Sequence, residues 1–192
     1  MNHLGTKQLE TRRLILRRFT PEDAQAMFSH WASDPEVTKY LTWLTHSSVE
    51  VSARIIADWV SHYGEPNYYQ WAIVPKELGH PIGSIAVVHA DDRVGKAEVG
   101  YCIGRNWWHQ GYVSEALRVV IRFLMDEVGA GRVEARHDPH NPHSGGVMRK
   151  CGMTYEGTLR QADRNNQGIC DACIYAILKS DEKESEFKEE KV

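Results

Sequence analysis

The stretch from Glu98 to Leu117, EVGYCIGRNWWHQGYVSEAL, holds the residues best placed to do chemistry. Val99, Tyr101 and Ile103 alternate with Glu98, Gly100 and Cys102 as in a short strand, and an aromatic, glycine-containing turn then opens into an amphipathic helix. A strand that feeds a loop whose amides point one way, followed by a helix N-terminus, makes an anion site. The ligand expected there is a phosphate. Two other groupings invite a metal or redox reading. Cys170-Asp171-Ala172-Cys173 is a C-x-x-C, but it lies in a segment that reads as a strand, where residues three apart face opposite sides, so core cysteines are expected. His137, His140 and His143, with Asp138 among them, are interrupted by Pro139 and Pro142, which exclude a regular helix. Three-residue spacing in an extended loop does not converge on an ion, so no metal is expected and one of these histidines is left to line a cleft.

The elements that must position this stretch follow from periodicity. Residues 12–19 alternate apolar and basic as a half-buried strand, and Thr20-Pro21-Glu22-Asp23 reads as a helix start with a capping box. After a break at Asp34-Pro35, residues 37–45 carry no clear period, and a second helix is predicted from Ser48 to Tyr63. Strands are predicted over Tyr68–Val74 and Ile82–His89 and then in the opening stretch, as an antiparallel meander. The central helix should run from about Ser114, as N-cap, to Val128, followed by a strand Arg132–His137 reached by a right-handed crossover. A short helix from Ser144 to Lys150 and two strands, about Thr154–Gln161 and Ile169–Leu178, complete the order. The expected fold is α/β, with a mixed, mostly antiparallel sheet of about seven strands and about four helices.

With 192 residues, 42% of them hydrophobic, one domain over residues 1–180 is expected, and residues 181–192 read as a charged, solvated tail. The formal charge of -3 offers no general field for nucleic acid. No apolar run is long enough to span a membrane, and residues 1–10 hold no apolar signal-peptide core. The expectation is a cytoplasmic protein, with monomer and homodimer both open.

Three ordered blocks carry a resemblance. Glu10-Thr11-Arg12-Arg13-Leu14-Ile15-Leu16-Arg17 opens the chain; Glu98-Val99-Gly100-Tyr101 continues into Trp108-His109-Gln110-Gly111-Tyr112-Val113-Ser114-Glu115-Ala116-Leu117. The third block is Asn141-Pro142-His143-Ser144, followed by Val147, Arg149-Lys150-Cys151-Gly152-Met153 and Tyr155-Glu156-Gly157. Together they resemble the GNAT superfamily of N-acetyltransferases, and within it the bacterial ribosomal-protein N-terminal acetyltransferases, over about residues 8–179.

The resemblance implies acetyl-CoA as donor and a primary amine as acceptor. It places the pyrophosphate over the amides of His109, Gln110, Gly111, Tyr112, Val113 and Ser114, where converging N–H donors, a helix dipole and a glycine suit a doubly charged linker. Two positions depart from the common pattern: Trp108 stands for a glutamine or arginine, and Val113 for a glycine or alanine. The pantetheine arm would lie along the strand near Tyr101 and Ile103, whose free amides suit an oxyanion, while Asn141 resembles the residue that hydrogen-bonds the arm. Ser144 corresponds to the leaving-group donor, with helix N-cap as its other reading. Glu98 is the expected general base, through a water, with a strand-end salt bridge as its other reading. Tyr40 and Trp43, in the irregular segment, are expected to border the acceptor. The acceptor implied is a protein α-amino group, possible instances being ribosomal-protein N-termini. A small amine (a polyamine, an aminoglycoside or another amino compound) and a non-catalytic acyl-CoA-binding module stay open.

Overall fold

The structure, a computed structural model, describes residues 1–181. The expected tail therefore lies, apart from its first residue, outside the described residues. Eight strands form one sheet: β1 (Leu9–Glu10), β2 (Leu14–Arg17), β3 (Gln70–Pro75), β4 (Gly83–Asp91), β5 (Lys96–Ile103), β6 (Arg132–His137), β7 (Thr154–Asn165) and β8 (Gly168–Leu178), in the order β1-β2-β3-β4-β5-β6-β8-β7. All neighbours are antiparallel except β5 and β6, which the crossover makes parallel. The sheet is mixed and mostly antiparallel as the periodicity indicates. Its extra strand is β1, which folds back on β2 and is too short to show a period.

The helices are α1 (Ala24–Met27), entered through a 3-10 turn (Pro21–Asp23) and left through a π turn (Phe28–Ala32), then α2 (Pro35–Thr38), α3 (Val49–His62), α4 (Tyr112–Asp126) and α5 (Pro142–Lys150). The Thr20–Asp23 capping box is present. Asp34-Pro35 is a helix start: the Asp34 side chain accepts from Glu36 N at 3.0 Å and Pro35 takes the first helical position. Two helix starts also lie earlier than expected. α4 begins at Tyr112 with Gly111 as its N-cap, and α5 begins at Pro142 with Asn141 as its N-cap, so neither Ser114 nor Ser144 is a cap.

The apolar stripe of α4, including Leu117, Val120 and Leu124, packs with Leu14, Trp71, Ile85, Val99 and Val133 of the sheet. On the other face Phe19, Met27, Trp31 and Ile56 cover Ala72 and Val74. Each large side chain so buried contributes roughly 1.5–3 kcal/mol. That packing fixes α4 behind β5, so the turn between them has one place to go.

β5 and β6 pair only over Lys96–Glu98 with Arg132–Glu134, although β5 runs on to Ile103 and β6 to His137. Beyond Glu98 the two strands part. Gly104 N donates to Ile82 O at 2.8 Å, so even-numbered residues of β5 direct their backbone groups toward β4. Beyond the β5–β6 ladder, Tyr101 and Ile103 direct theirs toward the opening. The sheet thus contains a slot walled on one side by main-chain groups of β5.

Candidate active site

The slot, the β5–α4 turn and the first turn of α5 enclose a cavity of about 490 Å³, within the range of small-ligand sites. Its floor is the N-terminus of α4. Glu115 N is bonded to Gly111 O at 3.0 Å, which leaves the amides of Tyr112, Val113 and Ser114 without an acceptor in the helix. Gly111 holds φ 80° and His109 φ 61°, so the turn curls through left-handed backbone that glycine adopts freely and histidine only at a cost. Trp108 caps the turn, its indole Nε1 donating to Ile103 O at 3.0 Å. Val113 turns its side chain into the core, 8% exposed, and so does not crowd the turn.

The turn is clamped from the connection between β1 and β2. Glu115 accepts from Thr11 Oγ1 at 2.5 Å, Arg13 N at 2.9 Å and Arg13 Nε at 2.6 Å. Arg13 also reaches Gln110 O at 3.0 Å and stacks on the Tyr112 ring at 4.4 Å. Burial would raise the Glu115 pKa, but the bonds from Thr11 and Arg13 outweigh it and hold the carboxyl below its usual value. An ionised Glu115 therefore ties the β1–β2 connection to the first turn of α4.

The structure gathers most of the expected residues. Tyr101, Ile103, His109, Gly111, Tyr112, Val113, Ser114, Asn141, Ser144 and Tyr40 all line the cavity. Three do not. The Gln110 side chain turns out to Asn106 O at 2.8 Å, although its backbone stays in the turn. Trp43 packs at the edge of the α1–α3 core and against His46, ring centroids 5.2 Å apart. Glu98, 4% exposed, holds the point where β5 and β6 part: Arg136 Nε and Nη2 each donate to it at 2.6 Å.

Asn141 sits at the α5 N-cap without spending its side chain on the cap. The Tyr101 hydroxyl lies 3.0 Å from Ser144 O, to which it donates, and 3.1 Å from Ser144 Oγ. With the tyrosine proton on the carbonyl, the serine hydroxyl donates to the tyrosine oxygen. Burial raises the Tyr101 pKa, so the phenol keeps its proton. His109 and His143 meet edge to face at the cavity mouth, centroids 4.7 Å apart.

The family description Acetyltransferase (GNAT) domain matches residues 13–154. The chain belongs to the GNAT acetyltransferase family. The uncharacterized N-acetyltransferase p20 of Bacillus licheniformis is 32% identical over 173 residues, covering 89% of this chain and 96% of that protein. The fold recurs among solved structures. The ribosomal-protein-S5-alanine acetyltransferase from Vibrio fischeri superposes with a TM-score of 0.79 at 17% identity, over 91% of this chain and 98% of that one. The microcin C7 self-immunity acetyltransferase MccE, solved with acetyl-CoA and AMP, gives 0.77 at 20% identity, over 88% and 93%.

As a GNAT domain the chain is an N-acetyltransferase, and its blocks are those quoted from the sequence. Sequence reasoning missed other residues at this cavity. The Tyr101 side chain, Val37 and Leu41 line the cavity, and the Arg13–Glu115 clamp supports it from behind. The alternation that puts Tyr101 on the α4 side of β5 was readable, but its hydroxyl contact depends on where α5 lies. Among the described residues no group of three or more His, Cys, Asp or Glu is placed to hold a metal, the four cysteines are free, and no helix is long and apolar enough to cross a membrane.

Proposed function

We propose that this GNAT domain transfers the acetyl group of acetyl-CoA to a protein N-terminal α-amino group, by direct attack within a ternary complex. Acetyl-CoA is the donor, and the residues present suit it. The open amides of Tyr112, Val113 and Ser114 would hold the pyrophosphate, and the backbone of Tyr101 and Ile103 with the Asn141 amide would hold the arm. Attack by the amine nitrogen on the thioester carbonyl forms the C–N bond, the C–S bond breaks, the amine gives its proton to solvent, and the sulfur leaves as a thiolate. Ser144 offers that thiolate a hydrogen bond. A covalent route through Cys102, the one cysteine lining the cavity among the described residues, is disfavoured, because burial raises its thiol pKa.

One observation carries the acceptor class: among the described residues, no Asp or Glu lines the cavity, while Arg149 and Lys150 do. A polyamine or aminoglycoside would find no carboxylate there. Without a base at hand, the acceptor must supply its own neutral amine. Near pH 7.5 about a third of an α-amino group is neutral, against roughly one lysine side chain in a thousand. The test is mass spectrometry of the products after incubation with acetyl-CoA and a panel of ribosomal-type N-terminal peptides, polyamines and aminoglycosides. Acetylated peptides are expected; preferential acetylation of the polycations would sink this reading.

Glu98 we assign to the strand fork in place of proton transfer, because Arg136 pairs with both its oxygens and Glu98 lies outside the cavity lining. Glu98→Gln should leave kcat within about threefold and cost about 1–2 kcal/mol of stability, since Arg136 stays partly solvated when its partner is lost. Parallel thermal melts and pH–rate profiles check this. A fall in kcat of about 100-fold or more with an unchanged melt would make Glu98 the base.

A further inference from the structure

The turn between β7 and β8 lies outside the cavity lining, yet Asn166 makes three hydrogen bonds to one short segment far away in sequence. Its backbone N–H donates to Leu41 O at 3.1 Å, and its Nδ2 donates to both Thr38 O and Trp43 O at 2.8 Å. That segment joins α2 to α3 without regular structure and carries Tyr40 and Leu41 to the cavity wall. Irregular backbone has carbonyls to satisfy, and one amide that takes two of them fixes the curvature of the segment. The turn itself does not require asparagine here: among the described non-glycine residues only His109 and Gln161 have positive φ.

The preceding residue reaches the other way. Asn165, 7% exposed, donates from Nδ2 to Asp138 Oδ2 at 2.8 Å. Asp138 O in turn accepts from Asn141 N at 2.8 Å, at the entry to α5 and Ser144. Two adjacent side chains thus tie the wall on the acceptor side to the loop that carries the leaving-group residues.

We propose that Asn165–Asn166 is a clasp that sets the width of the acceptor cleft, and that Asn166 is a positioning residue for the acceptor amine. The inference rests on the ternary-complex reading given above, and it adds a determinant that lies at neither substrate. Asn166 holds Tyr40 and Leu41 at a fixed distance from the slot, and the donor half of the site is joined to the clasp only through Asn165.

The experiment compares wild type with Asn166→Ala and Asn166→Asp, using acetyl-CoA and a six-residue peptide with a free α-amino group. Asn166→Ala removes both side-chain bonds, and Asn166→Asp turns a carboxylate toward the same two carbonyls. In both, the KM for the peptide should rise about tenfold, the Kd for acetyl-CoA should stay within about twofold, and kcat should change little. Amide exchange of residues 38–45, measured without acceptor, should quicken while residues 109–117 stay protected. An unchanged peptide KM, unchanged exchange, or loss of acetyl-CoA affinity or of the fold in both variants would overturn the clasp, the last by making it a general structural bond. If the wild-type protein acetylates no peptide, the functional reading fails, and the exchange comparison alone decides the clasp.

Discussion

Replacing Gly111 with aspartate is expected to raise the Kd for acetyl-CoA at least about 100-fold, or about 2.7 kcal/mol of binding energy. Space is not the reason: a Cβ on Gly111 would meet only Arg13 Nη2, at 3.5 Å. Two other effects act together. A side chain at φ 80° strains the turn by roughly 1–2 kcal/mol. The carboxylate also sits at the N-terminus of α4, where it competes for the amides that the pyrophosphate needs and repels the phosphates themselves. Gly111→Ala carries the strain without the charge and should lose affinity only severalfold. Calorimetric titration of both variants separates the two effects. Equal losses would remove the electrostatic part of the argument, and unchanged affinity in Gly111→Asp would remove the phosphate from this turn.

Ser144→Ala should lower kcat by about 10- to 100-fold with near-normal acetyl-CoA affinity, as for loss of one hydrogen bond to a charged group. The helix-cap explanation no longer competes, because Asn141 holds the N-cap of α5 and Ser144 lies inside the helix. The 3.1 Å contact with the Tyr101 hydroxyl gives the prediction a second part. Tyr101→Phe removes the partner that orients the serine hydroxyl, and a severalfold loss is expected. In the Ser144→Ala background the same change should cost little more, since the two hydroxyls act as one unit. Rapid-quench turnover of the two single variants and the double variant measures this. Full additivity would mean that Tyr101 supports the fold and not the serine, and normal turnover in Ser144→Ala would leave the thiolate without this donor.

The donor half of the site was the legible half, for physical reasons. A central helix with a strong apolar stripe, a preceding strand and a glycine at the turn are local features, and local features survive in one sequence. The errors at helix starts are local too. Gly111 takes the N-cap of α4 in left-handed backbone, where the serine rule points to Ser114, and the Pro142 at the first position of α5 outranks Ser144. The acceptor half depends on long-range pairing. Residues 37–45, which carry no clear period, are held by Asn166 through the carbonyls of Thr38, Leu41 and Trp43, and no spacing rule joins those positions. Glu98 shows the same limit. Its place on β5 was readable, but its partner Arg136 lies on β6, and only the parallel register brings the two carboxylate oxygens to the guanidinium.

The most direct measurement uses one peptide that carries both a free α-amino group and an internal lysine, incubated with acetyl-CoA and the protein near neutral pH. Fragmentation mass spectrometry then reads which nitrogen holds the acetyl group. A cavity without a carboxylate should act on the amine that is already partly neutral, so the acetyl group should be found on the α-nitrogen. Acetylation of the lysine in preference to the N-terminus would contradict the account.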